Sequence, residues 1–280
     1  MSEEVLKSHD DGLQDVHEPL PLTLYLNGLW SRRGYARFVS ISELRNRQMT
    51  SVLGNLWHLL NPILQVGVYY LVFGLVLSTA GRGPNYILFL VVGVFIFSDT
   101  QRAVMAGANS IVNNRGILQA LSFPRALLPI TSTVTESLAT APSVLVVYVS
   151  ALLTGETPSL RWLLFPAVIL VQFLFNLGFS LLAARATTHF HDLQQILPFV
   201  FRILLYLSGV IFSVEALGSP DTEWVFHINP IYAFISIARW TVMEGELQMI
   251  WLASAAGWTL TLLIVGFVWF RAAEERYGRD

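Results

Sequence analysis

Long apolar runs separated by short polar punctuation dominate the chain from residue 57 onward, and their lengths set the architecture. Six runs reach the roughly 20 residues that a helix rising about 1.5 Å per residue needs to cross a bilayer. They cover residues 57–79, 86–107, 127–152, 161–183, 194–214 and 249–270. Gly81–Arg82–Gly83–Pro84 closes the first run, and a loop with Arg115 and Phe123–Pro124–Arg125 joins the second to the third. Glu156–Thr157–Pro158 makes the next turn, and a loop with Arg185, His189, His191 and Asp192 precedes the fifth run. Residues 214–248 are not a simple turn: Pro220, Asp221 and Glu223 lead into the moderately apolar stretch Trp224–Met243, broken at Asn229–Pro230. Proline disfavours helix at the residue before it, so the stretch reads as two short re-entrant or interfacial helices. The alternative is a seventh span over Val225–Met243, which would put the C-terminal arginines on the opposite side. Irregular backbone at membrane depth needs protein or water around it, which places such a hairpin near the exit of a pathway.

Ahead of the first run, Ser40 and Glu43 have the spacing of a capping box and predict a helix from Ile41. Ile41, Leu44, Val52 and Leu53 share one broad face, Glu43, Arg47 and Thr50 fall opposite, and Arg45 can snorkel to headgroups. Gly54 permits a sharp change of direction, and Trp57 stands where an interfacial indole is favoured. The predicted fold is therefore an all-α integral membrane protein with an N-terminal amphipathic interface helix, six transmembrane helices, and short re-entrant helices between spans five and six. Residues 1–22 form a polar, acidic tail, 23–56 the amphipathic region, 57–272 the six-span domain and 273–280 a charged C-terminal tail. The N-terminal tail lacks the apolar core and small-residue cleavage site of a signal peptide.

Composition narrows the function. A charged fraction of 13% against 54% hydrophobic residues is a membrane protein's balance. A net charge of -2 argues against nucleic-acid binding through a basic face. The chain has no cysteine, so thiolate chemistry and cysteine metal sites are excluded. Its only lysine is Lys7, in the polar tail, so no phosphate-binding G-x-x-x-x-G-K-[ST] loop exists. With the N-terminus inside, about 13 of the 17 Lys and Arg residues lie on inner segments and about 3 on outer loops. The positive-inside rule then puts both termini in the cytoplasm of a multi-pass protein of the inner or plasma membrane.

Asp99, Arg102, Glu136 and Arg202 fall inside predicted spans, where charges are costly and mark pairs or pathways. Glu136 and Arg202 are at matching depth, which predicts a pair or a shared polar cavity. An ion-coupled carrier or channel is the alternative function these four residues support. His189, His191 and Asp192 read as a solvated loop rather than a metal or catalytic site, and no metal site is expected.

Ser51, Leu53–Gly54, Trp57, Leu60 and Asn61–Pro62 resemble the S-x-LG-x-x-W-x-x-L-x-P signature of permease subunits of ABC exporters in the polysaccharide-export branch. Phe123–Pro124–Arg125 with Leu128–Pro129 is similar to the FPR-x-x-LP pattern after the second span of that family, and Asn229–Pro230 to its NP between the outer helices. The likeness covers about residues 40–270 and includes exporters of O-antigen, teichoic acid and actinobacterial galactan. It implies a permease half that moves a lipid-linked polysaccharide outward, with a second copy of itself and two separate ATP-binding subunits as partners. ATP and Mg would sit on those subunits, and this chain would be neither an enzyme nor a cofactor holder. Coupling to the ATPase would use Asn113, Arg115, Ile117, Gln119, Phe123, Pro124 and Arg125, with Arg45 and Arg47 of the amphipathic helix. Arg115 and Arg125 read equally as ordinary positive-inside residues. Sugar rings stack on aromatic faces, so Tyr69, Tyr70, Phe73, Phe89, Phe95 and Phe97 are pathway candidates beside the four charges, the alternative being packing or lipid contact. Asn229 and Pro230 are the candidate outer gate.

Overall fold

The computed structural model describes residues 22–50, 53–76, 85–114, 116, 118, 123–214 and 220–273, with the backbone alone for 47–50, 55 and 220–223. Among these residues the ordered elements are all helical. Helices α1 (Leu22–Ser31) and α2 (Arg33–Thr50) precede a 3-10 turn at Gly54–Leu56. Helix α3 (Trp57–Tyr69) continues into a wider π-helical segment, Tyr70–Val76. Then come α4 (Tyr86–Asn113), α5 (Leu127–Thr140), α6 (Ser143–Leu153), α7 (Phe165–His189) and α8 (Leu193–Leu207). The chain ends with α9 (Pro220–Ile228), α10 (Pro230–Val242) and α11 (Met249–Arg271).

The mast of the fold is α4. Its 28 residues are apolar nearly all round, and such a helix is stable only when enclosed. Leu88, Val92, Ala103, Val104 and Ala108 are wholly buried, with α5 and α7 packed along its length. Phe95 and Phe97 enter a large core with Phe175, Phe201 and Phe234, and Phe97 meets Phe201 edge-on at 6.1 Å. A second, smaller core gathers Tyr25 of α1, Ile111, Leu118, Leu128, Leu181 and Phe270. Both described ends of the chain therefore meet at one end of the bundle.

Five helical stretches are long and apolar enough to cross a membrane: Trp57–Leu75, Tyr86–Asn113, Leu127–Leu153, Leu160–His189 and Met249–Arg271. The sixth expected run is shorter. Helix α8 stops at Leu207 because the chain turns at Ser208 and enters the left-handed region at Gly209 (φ 59°), so residues 208–214 are irregular. The third run is one apolar stretch but two helices, since Pro142, without an N–H, ends the ladder after α5. The second and fourth runs extend as helix beyond their apolar windows, to Asn113 and His189, and near those ends Asn114 and Thr188 donate to the carbonyls of Ser110 and Ala184.

Upstream, two expectations change. The amphipathic region is two helices, and α2 begins at Arg33 rather than Ile41. Ser40 is thus not a cap: its N–H is internal to the helix, and its buried hydroxyl donates to the carbonyl of Thr131 on α5 at 3.2 Å. Gly54 adopts φ 44°, the positive value that lets the chain turn from α2 into α3.

Candidate functional site

Four polar side chains of α7, each about one or two turns apart, face α4. Gln172 donates to the carbonyl of Ile96 at 2.8 Å and to Thr100 at 2.9 Å, and Ser180 to the carbonyl of Ala103 at 3.0 Å. Thr187 donates to the carbonyl of Ala108 at 2.5 Å. Between them Asn176 donates to Asp99 Oδ2 at 3.0 Å. In a low-dielectric interior such a ladder satisfies buried polar groups and sets the register of the two helices. Sequence reading missed it, although Gln172, Asn176 and Ser180 recur every four residues in an otherwise apolar helix.

Asp99 is the hinge of a wider network. Thr140 of α5 donates to Asp99 Oδ1 at 2.5 Å. Arg102, one turn along α4, lies within charge range of both Asp99 and Glu136. Glu136 is buried one turn before Thr140 and faces His58 Nδ1 of α3 at 3.7 Å. Two carboxylates, a guanidinium and the His58 imidazole thus share one buried region, where each charged group needs a partner. Three of the four charges that fall inside predicted spans, Asp99, Arg102 and Glu136, come together here and tie α3, α4, α5 and α7 to one another.

The expected partner, Arg202, is elsewhere. Helix α8 turns Phe201 and Leu205 into the core, and at about 100° per residue this swings Arg202 outward, where it is exposed. Its guanidinium lies over Phe199 at 5.5 Å. The Glu136–Arg202 pair therefore does not form within the chain.

Glu136 also lines a polar cleft of about 470 Å³ between α2, α4 and α5. Glu43, Asn109, Ser110, Asn113, Asn114 and Ser132 complete its polar walls. Replacing Asp99 by alanine should leave Arg102 facing one carboxylate fewer, Asn176 without its acceptor, and Thr140 with only the carbonyls of its own helix. Loss of one member of a buried charged set costs about 3–5 kcal/mol, so the thermal midpoint of the purified protein should fall sharply. Asp99→Asn, which keeps an acceptor for Thr140, should fall less. Equal midpoints for the parent protein and Asp99→Ala would show that the network does not hold the helices.

The remaining expected site residues separate into groups. Tyr69, Tyr70 and Phe73 are half-buried along α3 and its π segment. Phe89 is half-buried and stacks on Tyr86 at 6.1 Å. Phe95 and Phe97, at 3% and 2% exposure, are core residues, and no substrate reaches them in this arrangement. Asn113 and Arg45 are exposed, whereas Arg115, Ile117, Gln119 and the side chain of Arg47 lie outside the described residues. Phe123 packs into the smaller core, and the ring of Pro124 closes on α1, where a Cβ at Gly28 would lie 3.5 Å away. The carbonyls of Pro124 and Arg125 accept from Leu127 and Leu128 at 3.0 and 3.1 Å, so the motif forms the entry to α5. Its aromatic ring is an internal anchor rather than a free knob.

Asn229 is a fastener. Its Oδ1 accepts from the Ile231 N–H at 2.9 Å, capping α10, and its Nδ2 donates to Leu207 O and Ser208 Oγ at 3.0 and 2.9 Å. Pro230 occupies the first turn of α10, where a missing N–H costs nothing. Arg239, unmarked in the sequence reading, serves the same segment. It donates to the carbonyls of Gly209 at 2.9 Å, Val210 at 3.0 Å and Phe89 at 3.1 Å, and stacks 3.2 Å above the Phe89 ring. A single arginine in the apolar run Trp224–Met243 was the signal that could have found it. His189, His191 and Asp192 are exposed, and no cluster able to hold a metal occurs among the described residues.

Comparison with known proteins agrees with this architecture. Residues 39–243 match the family described as ABC-2 type transporter. A Myxococcus xanthus protein named O-antigen export system permease protein RfbA is 30% identical over 209 residues, covering 74% of this chain and 80% of that one. A Klebsiella pneumoniae protein of the same name is 26% identical over 240 residues, covering 85% and 92%. An Escherichia coli protein named Polysialic acid transport protein KpsM is 24% identical over 248 residues, covering 84% and 92%. Matched over residues 39–243, most of its length, the chain belongs to the family described as ABC-2 type transporter.

Proposed function

We propose that this chain is the permease half of an ATP-driven exporter that carries a lipid-linked polysaccharide from the cytoplasmic to the outer face of the inner or plasma membrane. The observation that carries the reading is the match over most of the chain to relatives named for O-antigen export and polysialic acid transport. Two copies form the pathway, and two ATP-binding subunits, holding ATP and Mg, dock at the end where α1, the Phe123–Pro124–Arg125 turn and the end of α11 meet. Both termini then lie in the cytoplasm, in keeping with the arginine distribution. Docked there, a partner pushes on α2, which Ser40 pins to α5 beside the cleft and the buried charges. Movement of the ATP-binding subunits thereby reaches the spans through rigid elements.

The test is purification of the chain with and without a co-expressed ATP-binding subunit. Alone it should bind no ATP, and together the two should form a stable complex whose ATP hydrolysis responds to lipid-linked glycan. Saturable ATP binding by the isolated chain, or failure to capture the subunit encoded beside it, would overturn the reading.

A further inference from the structure

Arg102 carries an unused hydrogen-bonding edge. Its Nε and Nη2 are buried and hydrogen-bonded to nothing among the described residues. These two nitrogens form the side of the guanidinium that takes both oxygens of one carboxylate in a fork. A buried charged donor left unmet is costly, so the edge calls for a carboxylate that reaches it in another arrangement of the helices.

Two carboxylates stand nearby, and only one has freedom to move. Both oxygens of Asp99 are taken, by Thr140 and by Asn176, and turning to the fork would break those bonds. Glu136 approaches from α5, which packs along α4. The Asp99–Thr140 bond fixes the register of these antiparallel helices, and the cleft sets Asn109 and Asn113 of α4 against Ser132 of α5. Arg102 is three residues after Asp99, or ~4.5 Å along α4, and Glu136 four residues before Thr140, or ~6 Å along α5. The two charges therefore stand at one level on facing helices. Glu136 lines the cleft together with Met105, one turn beyond Arg102, so its carboxylate has space. In the described arrangement it faces His58 of α3 at 3.7 Å, longer than a hydrogen bond.

We propose that Glu136 is a two-position latch: it swings from His58 on α3 to the Arg102 fork on α4 when α2 and α5 are driven toward α4. The inference rests on the exporter reading and names the residues that move. Ser40 ties α2 to the carbonyl of Thr131, next to Ser132 in the cleft wall, so α2 and α5 move together and close the cleft. The fork needs both oxygens of Glu136, so engaging Arg102 gives up His58 and frees α3 from α5. ATP binding drives the closure and favours the Arg102 position. Because such coupling is reciprocal, the Glu136–Arg102 bond in turn favours ATP binding.

The exporter complex, with ATP-binding subunits that bind ATP without hydrolysing it, is placed in phosphatidylcholine nanodiscs, and its ATP affinity is measured. Glu136→Gln and Arg102→Gln should each weaken ATP binding about tenfold, and the double variant about tenfold again rather than a hundredfold, as partners in one bond do. Arg102→Lys, a point donor without the fork, should recover part of the affinity. His58→Gln should act in the opposite direction and tighten ATP binding, since it removes the competing position. A purely structural role would not give opposite signs. Should Arg102→Gln fail to fold, the opposed shifts of Glu136→Gln and His58→Gln decide. The chain has no cysteine, so Met105→Cys with Ser132→Cys reports closure of the cleft without background. Disulfide formation between them should run at least tenfold faster with ATP bound, and Glu136→Gln should erase that difference. Additive losses in the double variant, weaker ATP binding in His58→Gln, or a cross-linking rate indifferent to ATP would overturn the latch. Any of these in a complex that, with active ATP-binding subunits, still couples ATP hydrolysis to glycan would leave the exporter reading standing. A chain that captures no ATP-binding subunit would overturn both.

Discussion

Replacing Gly178 by valine should abolish recoverable folded protein, while Gly178→Ala lowers the yield and the thermal midpoint by an intermediate amount. Gly178 stands where α7 and α11 touch backbone to backbone. A Cβ there would lie 2.5 Å from Leu262 C and Leu263 N and 2.8 Å from Leu262 O. Those are main-chain atoms, so no rotamer change relieves the clash. On the facing helix, a Cβ at Gly266 would run into the carbonyl oxygen of Gly178. Between helices in lipid there is little hydrophobic driving force, and close packing of small residues supplies the association. Overfilling a well-packed contact costs about 1–3 kcal/mol, and more when the helices themselves must separate. The loss would spread to α4, because two residues along α7 Ser180 presses its side chain against Gly107 of α4, leaving no room for a Cβ there. Gly257, also on α11, has nothing within 4 Å of its added Cβ and supplies the control. Gly257→Ala should leave the midpoint unchanged or slightly higher, since alanine is the better helix former. Size-exclusion profiles and thermal unfolding in detergent would decide it, and a parent-like midpoint for Gly178→Val would refute the close-contact account.

Arg239→Met should release the segment that follows α8. Residues 208–214 are neither helix nor strand, so their carbonyls need partners from outside the segment. Arg239 supplies Gly209 and Val210, Tyr86 donates its hydroxyl to the carbonyl of Ile211 at 2.9 Å, and Asn229 serves Leu207. Each buried carbonyl left unpaired costs about 1–3 kcal/mol, and methionine of similar length removes the bonds to Gly209, Val210 and Phe89 and the ring contact at once. Hydrogen exchange over 208–214 and in the first turns of α10 should accelerate strongly in Arg239→Met, with export reduced and insertion retained. Lysine is a point donor without the planar fork, so Arg239→Lys should recover a minority of the protection. Space for the guanidinium comes from Gly93, whose Cβ would lie 2.6 Å from Arg239 Nη2. Gly93→Ala should therefore give a weaker version of the same effect. Unchanged exchange in Arg239→Met would show that other contacts hold the segment.

These two sites differ in how far they could be read in advance. Arg239 is visible as an isolated charge in an apolar run, but which carbonyls it serves depends on where α8 stops, and that depends on Gly209 taking a positive φ. Gly178 carries no local mark at all. Glycine is tolerated in membrane helices, and only the approach of α11 makes this one irreplaceable. Arg202 illustrates the same division. Its depth could be estimated from position along the helix, which is why Glu136 was expected opposite it. Depth, however, says nothing of azimuth, and the burial of Phe201 and Leu205 turned it the other way.

The sequence by itself determined the helical class, the apolar stretches and their order, the break at Asn229–Pro230, and the presence of costly charges within the apolar runs. These follow from local rules: run length against bilayer thickness, the missing N–H of proline, and the cost of a charge in hydrocarbon. Only the tertiary structure decided that Ser40 fastens α2 to α5, that Asp99 bonds Thr140 and Asn176, that Phe123 and Pro124 are packed inward, and that Phe95 and Phe97 are core. Each of those outcomes depends on the rotation of one helix about its axis relative to its neighbours. In a chain whose helices are apolar on several faces, periodicity cannot choose that angle. Glycine contacts and buried hydrogen bonds choose it, because both act over only a few ångströms between residues far apart in sequence.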